Sequence, residues 1–170
     1  MKFFKAFLVV LLLCASVLML IGVFIPEVDE VFEMNVDAPI VSVYAGMMNS
    51  DDMTKWVSSL EEIERTGGIL AMPGSTFNLH FASKETEVVY QLEVLEIVPL
   101  QSIKYRLHND MLDIEVSTKF GINGVSTDVQ TFVQVKGNDF LVKCFLPLMR
   151  SVVMDEFENN FQRFKELQEQ

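Results

Sequence analysis

The chain has few of the residues from which metal and redox sites are built. Its 170 residues include two cysteines, two histidines and one tryptophan. Neither His80 nor His108 occurs in a His-x-x-x-His pattern, and Cys14 and Cys144 form no Cys-x-x-Cys pair, although such spacings are typical of zinc sites. Cys144 is the single cysteine after residue 25. We therefore expect no metal, no cofactor and no internal disulfide in that part of the chain.

Basic residues are also scarce. The chain has 13 Lys and Arg against 24 Asp and Glu, a formal net charge of −11. The imbalance is larger after residue 25, because Lys2 and Lys5 precede it and no acidic residue does. Nucleic-acid binding requires clustered Lys and Arg that displace counterions. We therefore expect no nucleic-acid partner, and no basic patch for anionic lipid headgroups.

The sequence contains no complete catalytic motif. No serine has the glycines of a hydrolase nucleophile elbow, and Gly67-Gly68 and the Gly121 to Gly124 pair are expected to form turns rather than phosphate loops. Most carboxylates fall at predicted solvent positions, where a raised pKa is not expected. Glu156 and Asn160 are the polar candidates near the C-terminus, with a solvated helix edge as the alternative. We predict no catalytic residue.

What the sequence does have is a long apolar run near its N-terminus. Ala6 to Ile25 carries no charge, and at about 1.5 Å per residue it spans roughly 30 Å, the thickness of a bilayer's hydrocarbon core. Lys2 and Lys5 precede it and acidic residues follow. The positive-inside rule then predicts a single-pass anchor in the cytoplasmic membrane, with the N-terminus inside. A cleaved signal peptide is the alternative.

This interpretation divides the chain into two parts. Residues 1–25 form the predicted N-terminal transmembrane signal anchor, and residues 26–170 form one domain on the periplasmic or extracytoplasmic side, long enough to bury a core. The first half of the domain has mixed signals. We predict, in order, a strand over Glu27 to Val36, a break at Asp37 to Pro39, a helix over Ile40 to Met48, a second helix over Met53 to Leu60, and a loop over Thr66 to Gly74.

After that loop, apolar residues alternate with polar ones. Five such stretches begin near Phe77, Val88, Ile103, Leu112 and Val125, and are separated by turn sequences. They predict an antiparallel sheet with one wet face. The period then changes to that of a helix, which is expected to start near Asn138-Asp139 and to bend at Pro147. Its apolar stripe is Phe145, Met149, Val153, Phe157, Phe161 and Phe164, which suits a cover for the sheet.

This order resembles the helix-grip fold of the START and pollen-allergen superfamily (SRPBCC), and within it the bacterial polyketide cyclase and lipid-transport-like branch. Val36 to Pro39 is similar to the first strand and Ala-Pro corner of that superfamily. Asn49 to Trp56 is similar to its second helix, although Met53 stands where a tryptophan is often found. Pro73 to Ser75 resembles its glycine-led entry into a strand, and Phe157 to Leu167 the end of its final helix. The resemblance covers about Val28 to Leu167.

The resemblance implies an α+β fold in which a curved antiparallel sheet wraps around a long C-terminal helix, here preceded by one transmembrane helix. It also implies an apolar cavity between sheet and helix, although the same side chains can equally fill a core. The side chains predicted to line the cavity or close its mouth are Trp56, Met72, Phe77, Leu79, Phe81, Tyr90, Leu92, Tyr105, Leu107, Val116, Thr118, Phe120, Val129, Thr131, Met149, Val153, Phe157 and Phe161.

Members of this superfamily bind lipids and other hydrophobic molecules, and a minority catalyse reactions on them. Fold alone does not decide between these functions. We expect membrane-anchored binding of a hydrophobic small molecule or lipid. The alternatives are a cyclase or dehydratase acting on a hydrophobic substrate, and a non-catalytic envelope interaction domain with a filled core.

Overall fold

The computed structural model describes residues 2–82 and 88–170. Within these residues the chain forms seven strands, five α-helices and one 3-10 turn. The strands are β1 (Glu27–Val36), β2 (Leu60–Gly67), β3 (Thr76–Phe81), β4 (Val88–Val98), β5 (Ser102–His108), β6 (Leu112–Asn123) and β7 (Ser126–Gly137). The helices are α1 (Lys2–Phe24), α2 (Ile40–Met48), α3 (Ser50–Trp56), α4 (Phe140–Phe145) and α5 (Arg150–Gln168), with the 3-10 turn at Leu146–Met149.

The strands form one antiparallel sheet in the order β1-β7-β6-β5-β4-β3-β2. Strands β3 to β7 pair antiparallel in sequence order, as the alternating pattern predicts, and β1 forms one edge of the sheet by pairing with β7. One face carries the core. Val116, Val129 and Val133 on that face are buried together with Phe161 and Phe164 of α5. The α+β class, with a long C-terminal helix packed on an antiparallel sheet, is confirmed.

Strand β2 was not predicted from the sequence. The predicted second helix continued to Leu60, whereas α3 ends at Trp56 and β2 begins at Leu60. The alternation is weak here because the register shifts between Leu60 and Glu62 and again between Arg65 and Gly67. Each shift moves the following side chains to the other face of the sheet. As an edge strand that pairs only with β3, β2 also tolerates a largely polar sequence.

The predicted C-terminal helix is divided into three segments. Asp139 caps α4 by accepting a hydrogen bond from the Val142 N–H at 2.9 Å, and Pro147 lies at the start of the 3-10 turn. Proline lacks an N–H and restricts the preceding residue, so the helix does not continue through it. The predicted stripe is therefore broken. Phe161 and Phe164 are buried, whereas Phe145 and Met149 are exposed.

Helix α1 is long and apolar. Within Phe3–Phe24 an 18-residue window has a mean hydropathy of 3.0, and the helix is sufficient by length and composition to cross a membrane. Its C-terminal turn packs on α4. Strand β1 starts directly after α1, at the end of the sheet where β6 also starts and where β5 and β7 finish. We call this the α1 end of the sheet. The opposite end, here called the far end, carries the turns at residues 68–75, 99–101 and 124–125.

Candidate functional site

An apolar cavity lies between α2, α3, the loop at residues 68–75 and strands β2 to β5. Its volume is about 70 Å3. None of its lining residues, among those that the structure describes, belongs to α5. The cavity was expected between the sheet and the last helix. It lies instead over β2 to β5, beneath α2, α3 and the loop. The lining residues are Met47, Met48, Ser50, Met53, Trp56, Ile63, Leu70, Ala71, Phe77, Leu79, Leu92, Val94, Ile103 and Tyr105.

The floor of the cavity is built by cross-strand neighbours. Phe77 pairs with Leu92 across β3 and β4, and Val94 pairs with Tyr105 across β4 and β5. Leu79 and Leu92 are buried there and form a small core cluster of their own with Leu60. Residues two apart on a strand point to the same face, so alternation places these side chains together.

One wall of the cavity is α3. Asn49 starts this helix by accepting a hydrogen bond from the Asp51 N–H at 3.1 Å, a common N-cap arrangement. At its other end, the buried side chain of Asn160 on α5 accepts a hydrogen bond from the Ser58 N–H at 2.9 Å. This bond ties the exit of α3 to α5. Asn160 is thus a structural link rather than the solvated helix edge considered above.

The loop at residues 68–75 covers part of the cavity through Leu70 and Ala71. Its base is held by Ser75, which is fully buried and whose single hydroxyl hydrogen is shared between the carbonyl oxygens of Ile69 and Met72. Gly68 has a positive φ of 73° and passes so close to Gly74 that an added Cβ would lie 2.5 Å from the Gly74 oxygen. The chain reversal at this point therefore requires glycine.

The lining residues carry three polar side-chain groups: the hydroxyls of Ser50 and Tyr105, and the indole N–H of Trp56, which is buried and has no hydrogen-bond partner among the described residues. No charged side chain lines the cavity among the described residues. Tyr105 as a whole is partly buried, but its phenol oxygen is enclosed, and this burial raises the pKa of the phenol. The group is therefore neutral at physiological pH. A neutral phenol orients a ligand by hydrogen bonding but does not act as a base.

Three methionines, Met47, Met48 and Met53, lie on the helical side of the cavity. The cavity volume of about 70 Å3 is room for a few water molecules at roughly 10–15 Å3 each. Pockets for drug-sized ligands hold about 300–1,000 Å3. Methionine side chains are unbranched and change rotamer easily, so this side of the cavity has side chains that can move apart.

Five of the eighteen predicted site residues meet in this cavity: Trp56, Phe77, Leu79, Leu92 and Tyr105. Phe81 and Tyr90 pack edge to face beside it, with ring centroids 5.6 Å apart. Burial raises the pKa of the Tyr90 phenol, and a hydrogen bond with Asn109 partly opposes the rise. Met72 lies in the covering loop with its side chain exposed.

The remaining predicted residues lie outside the cavity lining. Thr118 and Thr131 are buried and hydrogen-bond to each other at 3.0 Å. Phe161 packs against Phe32 of β1, with centroids 5.4 Å apart, and Met149 is exposed. The others contribute to or pack against the core clusters, namely Leu107, Val116, Phe120, Val129, Val153 and Phe157. A ligand-binding role for any of the eighteen stays a prediction.

Sequence reasoning missed most of the helical and loop side of the cavity. Met47, Met48, Ser50 and Met53 come from two short helices whose position over the sheet is not encoded in any alternating pattern. Ile63 lies on the unpredicted β2, and Leu70 and Ala71 lie in the loop. Two lining residues had a usable signal. Val94 and Ile103 belong to the apolar sets of their alternating strands.

A second concave surface, of about 580 Å3, lies across β1, β6 and β7. Its lining includes Glu33, Lys119, Asp128 and Gln130, so it is polar. Hydrogen bonds from Asn35 and Asn123 lower the pKa of Asp128 there. Across residues 2–82 and 88–170, no group of three or more His, Cys, Asp and Glu side chains has a geometry suited to a metal ion. The apolar cavity is therefore the candidate site.

Comparison with known proteins shows the fold. No protein-family model matches the chain, and no curated protein matches it. Among solved structures, protein SA2116 from Staphylococcus aureus superimposes with a TM-score of 0.69 at 13% identity, covering 84% of this chain and 94% of that one. Ara h 8.0201 gives a TM-score of 0.67 at 12% identity, covering 84% and 97%. TTHA0849 from Thermus thermophilus gives 0.62 at 17%, covering 83% and 95%.

These similarities extend over nearly the whole of each solved chain and support the helix-grip fold. At such identities they show the fold alone.

Proposed function

We propose that this chain is a membrane-anchored binding protein for a hydrophobic small molecule or lipid, and that the apolar cavity is its binding site. The observation that carries the proposal is the lining. It combines apolar side chains from six helices and strands and the covering loop with the hydroxyls of Ser50 and Tyr105 and the indole N–H of Trp56, and the described residues add no charge to it. An apolar cleft that contains a small number of polar groups is typical of sites that bind and orient apolar ligands.

Ligand entry requires the cavity to open. In this proposal Met47, Met48 and Met53 change rotamer, and Leu70 moves with the covering loop. Each Å2 of apolar ligand surface that leaves water contributes about 25 cal/mol. Tyr105 donates a hydrogen bond to a polar group of the ligand. The enzyme alternative needs a group that exchanges protons near neutral pH, and the raised pKa of Tyr105 disfavours that role.

A binding titration tests the proposal. Trp56 is the single tryptophan of the chain and lies in the cavity wall, so its emission reports occupancy. Titrating the detergent-solubilised full chain with a medium-chain fatty acid or an anilinonaphthalene dye should give a saturable change in emission. The variant Val94→Phe, which fills the cavity, should weaken binding. Val125→Phe adds the same side chain at an exposed turn and should not. A non-saturable emission change in the unmodified chain, or equal affinities of the two variants, would contradict the proposal.

The membrane part of the proposal rests on α1. This helix contains nearly all of the apolar run that the sequence predicts as an anchor, and an 18-residue window within Phe3–Phe24 has a mean hydropathy of 3.0. The chain should remain with the membrane fraction after carbonate extraction. With the N-terminus inside, protease added outside intact cells or spheroplasts should digest residues 26–170 and leave an N-terminal fragment. Release of the uncut chain into the soluble fraction would contradict anchoring.

A further inference from the structure

Large apolar side chains are exposed along one stretch that starts with α4. Leu141, Leu148 and Val152 are 67%, 59% and 64% exposed. Scattered exposed apolar residues are ordinary on protein surfaces, but a contiguous group marks an interaction site. The exposed apolar side chains fall within thirteen consecutive residues, 140–152, and Leu141 and Phe145, four residues apart in α4, lie on one side of that helix. The group, here called the α4 face, is Phe140, Leu141, Phe145, Leu148, Met149 and Val152.

The α4 face is continuous with α1. Gly22, in the last turn of α1, contacts Cys144 so closely that an added Cβ would lie 2.5 Å from its Sγ and 3.2 Å from its Cα. Cys144 is buried by this packing, while Phe24 and Ile25 of the apolar run are exposed nearby along the chain. Gly22 lies three residues before Ile25, the last residue of the apolar run. At a rise of about 1.5 Å per residue, it is about 4.5 Å from the end of the run along the helix axis. Helix α4 thus meets α1 at the depth of its last apolar turn.

The charge of this stretch differs from that of the rest of the domain. Residues 140–154 contain Lys143 and Arg150 and no acidic residue, in a chain of net charge −11. Arg150 also binds Glu30 at 3.0 Å and the Asp29 carbonyl at 3.0 Å, which fixes it at the α1 end of the sheet. Carboxylates would be repelled by anionic headgroups, whereas Lys and Arg are attracted to them. Residues 140–154 themselves therefore carry no carboxylate that would oppose contact with lipid, and Arg150 neutralises that of the neighbouring Glu30.

We propose that the α4 face inserts into the lipid interface beside α1, so that the domain is attached to the bilayer at two places. This inference rests on the proposed anchoring by α1 and adds an orientation to it. Helices with one apolar face lie in the plane of the interface, with that face about 5–10 Å into the headgroup and acyl boundary. The α1 end of the sheet then faces the membrane, and the turns of the far end face away from it.

Photolabelling of the full chain in vesicles tests this orientation. The chain is reconstituted into phosphatidylcholine and phosphatidylglycerol vesicles that contain a diazirine probe dissolved in the acyl region, and adducts are mapped by mass spectrometry. We expect adducts in α1 and in residues 140–152. The internal control is the end of β6 and the turn that follows it, where Ile122 and Val125 are 75% and 82% exposed. That turn lies at the far end and should not be labelled.

The outcomes separate the two proposals. Labelling of α1 without residues 140–152 would overturn the inference and leave the anchoring intact, whereas absence of adducts from α1 would contradict the anchoring itself. The variant Leu141→Ser/Leu148→Ser changes exposed positions and should fold normally. It should retain adducts in α1 and lose most of those in α4 and the 3-10 turn. If the α4 face instead pairs two copies, cross-linking between chains through residues 140–152 would replace the lipid adducts, which also overturns the inference.

Discussion

The indole of Trp56 meets the ring of Phe164 edge to face, with ring centroids 5.3 Å apart and ring planes at 66°. Trp56 lies in the cavity wall and Phe164 is fully buried on α5. The last helix therefore supports the cavity through this contact without lining it. Aromatic pairs in this geometry contribute about 0.5–1.5 kcal/mol beyond their burial.

Replacing Phe164 should loosen the wall that Trp56 forms. We expect Phe164→Leu to lower the free energy of unfolding by roughly 1–2 kcal/mol, because it removes buried volume and the ring contact. Urea unfolding followed by Trp56 emission measures the change. Phe140→Leu is the matched control, since Phe140 is largely exposed, and it should shift the midpoint little. Equal changes in the free energy of unfolding for the two substitutions would contradict the supporting role of Phe164.

The buried pair of Thr118 and Thr131 gives a second test, because the sequence predicts both side chains to line the ligand cavity. Their oxygens are 3.0 Å apart in the core. Thr118→Val leaves the Thr131 hydroxyl without this partner, which should cost about 1–3 kcal/mol of stability. Thr118→Val/Thr131→Val should recover most of the loss, and denaturant titrations of the three proteins measure it. A loss of dye binding in the stably folded double variant would show that these hydroxyls do contact ligand.

The sequence predicted the sheet well because alternation is a local signal. From Phe77 to Val135 each strand has one apolar face, and turn residues separate the strands. The position of the cavity depends on how completely side chains from distant parts of the chain fill the space between the packed elements, and no local sequence pattern encodes this. Phe161 and Phe164 fill the space between α5 and the sheet. The unfilled space lies instead over β2 to β5, under two short helices whose placement is determined by tertiary packing.

The loop over the cavity depends on Gly68. We expect Gly68→Ala to destabilise the chain by roughly 1–3 kcal/mol, because a side chain at a positive φ is strained and its Cβ would collide with the Gly74 carbonyl. Gly124→Ala is the control. Gly124 also has a positive φ, 64°, but nothing lies within 4 Å of an added Cβ, so it should cost only about 1 kcal/mol. Thermal unfolding of both variants measures the difference, and identical melting temperatures would refute the close-approach argument.

The enclosed phenol of Tyr105 should make the chain sensitive to alkaline pH. Burial raises its pKa in the folded state above the unfolded value of about 10. As pH rises through about 10, the unfolded chain therefore loses this proton first, and ionisation favours unfolding. Below that pH both states keep the proton, so this group makes no contribution to the pH dependence. The contribution of Tyr105 to the free energy of unfolding should not change with pH near neutrality, and the free energy of unfolding should fall above about pH 10.

Tyr105→Phe removes the ionisable group and should flatten the alkaline limb of the stability profile, as measured by urea titrations at a series of pH values. Tyr44→Phe is the matched control, because burial raises the pKa of Tyr44 by a smaller amount and its removal should change that limb less. The same titrations, repeated with a saturating fatty acid, connect stability to binding. Below pH 10, a ligand that accepts a hydrogen bond from the neutral phenol should raise the free energy of unfolding of the unmodified chain more than that of the Tyr105→Phe variant. Equal increases in the two proteins would exclude Tyr105 as a ligand contact.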